Sequence, residues 1–170
     1  MTEKRQVLYD LRYTYSGSFS VEDFYAYVDQ WIYEKGLEKE HKKKLEHVTK
    51  DGKKIEWVIE VHWHIDDLHY GIVVLRALFD NVRESVIKKD GRKIRLNNGD
   101  VYINIDGFIQ SQLHGSFYQS KPVFTFIRTI IDLRLWNFWM FSRDGKVSGN
   151  GHDLFKGIRM FFDEQRKKYI

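Results

Sequence analysis

The chain has 170 residues, a mass of 20.5 kDa and a formal net charge of +4, from 28 basic and 24 acidic residues. With 42% hydrophobic residues it can bury about 70% of the surface that its unfolded form exposes, which excludes wholesale disorder. There is no cysteine, so disulfides, thiolate metal sites and cysteine nucleophiles drop out.

No run approaches the ~18 uninterrupted apolar residues of a transmembrane helix. The start, Met1-Thr2-Glu3-Lys4-Arg5, lacks a signal-peptide pattern. One soluble, cytoplasmic domain over 1–170 is expected. The period-two segment over 6–15, with Leu11, Tyr13 and Tyr15 on one side, predicts a strand. Ser20 then reads as a helix N-cap, followed by Glu22 and Asp23 in the first turn. Phe24, Tyr27, Val28, Trp31 and Ile32 form an amphipathic stripe, and Gly36 marks its end. Residues 38–53 are mostly Glu, Lys and His and read as an exposed charged helix or loop. From 54 to 66 the alternation is the cleanest in the chain. Ile55, Trp57, Ile59, Val61, Trp63 and Ile65 share one face of a half-buried strand; Glu56, Glu60, His62 and His64 lie on the other.

Residues 70–79 are apolar on both faces, as in a central strand, and 81–89 either continue it past a bulge or form the next strand. Asp90-Gly91 and Asn98-Gly99 both read as hairpin turns, with a short strand over 92–96 between them. Val101, Ile103 and Ile105 predict another strand. A helix is expected from Ser120 to about Trp139, with a strand as the rival reading because period two fits part of the segment, then a glycine-rich loop over 142–151. Leu154, Phe155, Ile158, Phe161 and Phe162 mark the final helix. The fold class is therefore α+β: a twisted antiparallel sheet of about five to six strands, covered by an N-terminal helix and two C-terminal helices.

The strand at 6–15, helix at 20–35, meander at 54–110 and terminal helix at 152–168 together resemble the helix-grip fold of the START/polyketide-cyclase-like superfamily. The expected helix at 120–139 falls where that family has its last strands. The resemblance implies a site for an apolar ligand between sheet and helix.

Three sets of residues are candidates for function. Trp57, Trp63, Phe124, Trp139 and Phe155 can wall a pocket for a flat or apolar ligand, or simply fill an aromatic core. Trp136-Asn137-Phe138-Trp139-Met140-Phe141 is hard to bury on one helix and suggests a homodimer contact. Glu60, His62 and His64 offer a carboxylate and two imidazoles at period two, suited to zinc or iron(II), although a solvated outer strand face has the same appearance. Lys42, Lys43, Lys44, Arg166, Lys167 and Lys168 can contact RNA phosphates, or be ordinary solvated charges. There is no phosphate-binding glycine loop, no dinucleotide fingerprint and no nucleophile elbow. The leading expectation is a non-enzymatic binding protein for a small apolar or aromatic ligand, needing no cofactor. An RNA- or ribonucleoprotein-associated protein is the second reading, and a metal-dependent enzyme built on Glu60, His62 and His64 the third.

Overall fold

A computed structural model describes residues 2–50, 52–89, 92–112 and 136–169. In chain order these form β1 (Thr2–Phe19), α1 (Val21–Glu34), β2 (Glu38–Val48), β3 (Lys53–Asp66), β4 (His69–Lys89), β5 (Arg92–Gln112) and α2 (Trp136–Tyr169). The architecture is α+β. One five-stranded sheet has the order β1-β5-β4-β3-β2, and every neighbouring pair is antiparallel. Among the described strands the first thus lies beside the last, and the charged β2 forms the opposite edge.

Helix α1 is closed at both ends by its own sequence. The Ser20 side chain accepts a hydrogen bond from the Asp23 amide at 3.1 Å, satisfying one of the orphan donors of the first turn. At the other end Gly36 takes φ +64°, and the amides of Gly36 and Leu37 return to the carbonyls of Tyr33 and Ile32. Only a residue without a Cβ adopts that backbone freely, and the paired bonds form a Schellman stop.

Both helices lie on the face carrying Ile55, Trp57, Ile59 and Val61, and all four are buried. The core there is largely aromatic. Phe24 of α1 meets Phe79 of β4 and Phe162 of α2, each at 5.5 Å between ring centroids, and Phe162 stacks on Tyr15 at 4.8 Å. Helix α2 contributes Val147, Leu154, Ile158, Phe161 and Phe162 to this core. It approaches β5 closely because two glycines leave room. A Cβ on Gly107 would lie 2.8 Å from Leu8 Cβ and 2.9 Å from Val147, and one on Gly151 would meet the end of Leu8.

Several expectations change. Residues 38–53 contribute a strand, β2, rather than a helix or loop. Its mixed charges belong to a sheet edge, where lysines discourage pairing with further strands. Asn98-Gly99 makes no turn, and β5 runs straight through it. The glycine is needed because β4 bulges between Asp80 and Arg83, with Asn81 at φ +50°. A Cβ on Gly99 would lie 2.7 Å from the Asp80 carbonyl. The expected loop over 142–151 is helical. Val147 and Gly151 of that stretch are buried against the sheet, while Arg143 and Asp144 reach Asp66 and Arg5. The described residues contain one C-terminal helix, which includes 136–139. The rest of the helix expected from Ser120, including Phe124, lies outside the described residues. No described helix is long and apolar enough to cross a membrane.

Candidate functional site

The proposed wall residues take different places. Trp57 is buried, its ring 4.5 Å from Tyr25 and 6.0 Å from Phe24. Burial pushes the neighbouring Tyr25 hydroxyl up to about 12, with Glu46 adding to the shift. Trp63 is half-buried, with its indole over Gly71. Phe155 is half-buried edge-on to Tyr13 at 6.5 Å. Trp139 lies in the first turn of α2, and its side chain is outside the described set, as are those of 136–140 generally. Phe141, next in the proposed dimer segment, is 76% exposed.

The opposite sheet face carries polar chemistry. Around the β1 bulge, where Asp10 has φ +48°, Asp106 accepts from the Asp10 amide at 2.8 Å and from Gln6 at 3.0 Å, and it pairs with Arg76. Arg76 also donates to Asn104 at 2.8 Å, and Arg12 donates to Asp10 at 2.7 Å. The Arg12 hydrogen bond holds the Asp10 carboxyl below its usual range, against the effect of desolvation. Beside this network a groove of about 470 Å³ is lined by Tyr102, Leu78, Thr14, Arg12, Arg76 and Lys54, among others. Tyr102 is 45% exposed there.

Of the three expected metal donors, two come together. His62 Nε2 stands 3.4 Å from Glu60 Oε2 and 3.4 Å from Glu40 Oε2. Glu40 is Glu60's register partner on β2. His64 is exposed instead and packs against the Tyr70 ring at 4.3 Å. Reading 38–53 as helix or loop hid Glu40, because only a strand pairing puts it beside Glu60. Lys42 Nζ lies 2.7 Å from Glu40 Oε1 and 3.3 Å from Glu60 Oε2. Its hydrogen bond lowers the Glu40 pKa, and the same contact raises that of Lys42.

The expected basic cluster is divided by the pleat. Lys42 pairs with the acids just named, Lys43 reaches Glu56 at 2.6 Å, and Lys44 lies over the Tyr25 ring on the helix-covered side. Arg166 lies over Tyr15. Lys167 is exposed on the last turn of α2, beside Lys168.

Two arrangements were not expected from sequence. Asp66 Oδ1 lies 2.7 Å from His69 Nδ1, while Arg143 of α2 reaches Asp66 Oδ2 at 2.8 Å and His69 Nε2 at 3.3 Å. Burial works to raise the Asp66 carboxyl. The hydrogen bonds from His69 and the Leu68 amide, with the Arg143 charge, outweigh it and leave the pKa lowered. This cluster ties the β3–β4 turn to α2.

The second is a ribbon. β3 accompanies β4 only to Val82, and β1 accompanies β5 only to Asn97. Among the described residues, β4 and β5 beyond those points pair only with each other, to Lys89 and Arg92. Between Arg83 and Leu96 the chain has six Lys or Arg and two acidic residues, a surplus of four that equals the net charge of the whole chain. Lys88 is the register partner of Lys93, and Lys89 of Arg92.

No protein-family model, curated protein or solved structure matches the chain.

Proposed function

We propose that this is a non-enzymatic, cytoplasmic binding protein that associates with RNA or a ribonucleoprotein through the β4–β5 ribbon. One observation carries the reading: the entire charge surplus sits on a two-stranded arm that outruns both flanking strands. Like charges directly opposite in a ladder destabilise it, and an isolated hairpin is only marginally stable in water. A phosphate backbone relieves that repulsion and releases its own counterions on binding.

The test is fluorescence anisotropy of a labelled RNA oligonucleotide across a salt series. Affinity is expected to fall steeply with salt. Replacing Lys88, Lys89, Arg92 and Lys93 together by Gln should reduce the log–log slope by roughly three to four. The substitutions also remove opposed like charges, so they do not threaten the ladder. Salt-indifferent binding, or an unchanged slope in the variant, would overturn the reading.

A second reading has its own support. The groove at Tyr102 has a volume suited to one small ligand, and an exposed aromatic ring on its floor suits a flat one. This keeps the apolar or aromatic ligand of the first expectation but moves it to the open face, because Tyr25 and Phe24 already pack against Trp57. The order strand, helix, antiparallel meander, long helix supports the helix-grip resemblance. A naphthalene-sulfonate dye should bind the native chain and be lost in Tyr102→Ala; equal binding to both chains would remove this reading.

A further inference from the structure

The geometry points to a divalent-metal site formed by His62 Nε2, Glu60 Oε2 and Glu40 Oε2, with Lys42 as the resident cation that the metal displaces. The donor atoms of the three side chains lie within 4.8 Å of one another. His62 Nε2 is buried yet has no aligned hydrogen bond. Its two distances to carboxylate oxygen, 3.4 Å each, are long for a charge-assisted hydrogen bond. They match the edge of a tetrahedron whose centre lies ~2.0–2.1 Å from each donor, the bond length of zinc to imidazole and carboxylate. One nitrogen and two oxygens leave the fourth position to water. A cleft of about 480 Å³, lined by these three residues with Lys42, His64 and Tyr70 among others, gives a path from solvent.

The local charge balance supports the same conclusion. Glu40 and Glu60 are register partners, and like charges opposite one another need a cation between them. Lys42 supplies one, from the residue where the β2–β3 register shifts between His41 and Lys43. Strict alternation from Glu40 puts Lys42, two residues on, on this face, and the shift brings Lys43 there as well, where it meets Glu56. An ammonium is a point charge without bonding geometry, and it leaves the imidazole nitrogen only its two long contacts with the carboxylates, 3.4 Å each. A metal ion satisfies all three groups and frees the lysine to turn toward solvent. His64, directed to Tyr70, takes no part. This site is independent of the ribbon and of the Tyr102 groove.

The test is a titration of the chelator-treated full chain with zinc(II), in competition with a chromophoric chelator. One zinc per chain is expected. His62→Ala and Glu60→Gln should each weaken binding at least about 100-fold, and His64→Ala should leave it within about twofold. Lys42→Met removes the competing charge and should tighten binding about tenfold. Absence of a site in the native chain, equal binding by His62→Ala, loss in His64→Ala, or weaker binding by Lys42→Met would each overturn the assignment. Cobalt(II) on the unmutated chain gives a readout free of any folding defect. Intense visible bands of tetrahedral coordination are expected, and weak octahedral bands would also overturn it.

Discussion

On β3, Ile55, Trp57, Ile59 and Val61 are removed from solvent beneath two helices, whereas Glu56, Glu60 and His62, one pleat away, form ion pairs on the other face. The two sides are built by different physics. The covered face is close-packed, with rings from α1, α2, β1, β3 and β4 touching one another and glycines admitting the helix backbone. Its stability comes from area removed from water and from shape. The other face holds paired charges, and the exposed pairs among them, such as Lys43 with Glu56, contribute little to folding and are free to serve recognition. The fold is therefore carried by one surface and the candidate chemistry by the other.

Substitutions can break or sharpen that contrast. Phe162→Ala on the covered face should cost about 3–5 kcal/mol in urea denaturation, since it empties a site bordered by Phe24, Tyr15 and Phe19. A loss below about 1 kcal/mol would mean that the packing is far looser than the ring contacts indicate. Gly107→Ala should cost about 1–3 kcal/mol, because the new methyl meets Leu8 Cβ and Val147 and neither can swing away cheaply. Asp66→Asn should show a pH signature. The Asp66 pKa is depressed in the fold, so its contribution is present above the unfolded value of about 3.9 and is lost as pH falls through the folded value. The difference in Tm between the two chains should shrink from about pH 6 to about pH 3; a constant difference would show that the Asp66–His69–Arg143 contacts do not couple to folding. Lys43→Ala removes an exposed pair with Glu56 and should leave the denaturation midpoint where it was. A clear shift there would erase the distinction between the faces.

Local physics made part of this legible from sequence. The sidedness of β3 follows from strict alternation, and the limits of α1 follow from Ser20 and Gly36, whose roles depend on a few neighbouring residues. Where the reading failed, the cause lay far along the chain. Gly99 is explained by Asp80 on the next strand, and Gly151 by Leu8 at the other end of the molecule. β2 has too few apolar residues to announce its period, and only its pairing with β3 defines it. That one misreading also concealed the third metal donor, since Glu40 stands 20 residues before its partner. The charge of the ribbon was visible, but its extension past the flanking strands was not, because it depends on where β1 and β3 stop.

The adjacency of β1 and β5 has a consequence for biosynthesis. Thr2 pairs with Gln112 and Phe19 with Asn97, so the earliest strand must wait for one made almost a hundred residues later. At about 5–20 residues per second the N-terminal segment spends on the order of ten seconds without its partner. Leu8, Tyr15 and Phe19 stay uncovered for that interval, and closure of so long a loop slows the search as well. Association of β1 with the completed meander is thus a late step, and those side chains wait on it until β5 has been made.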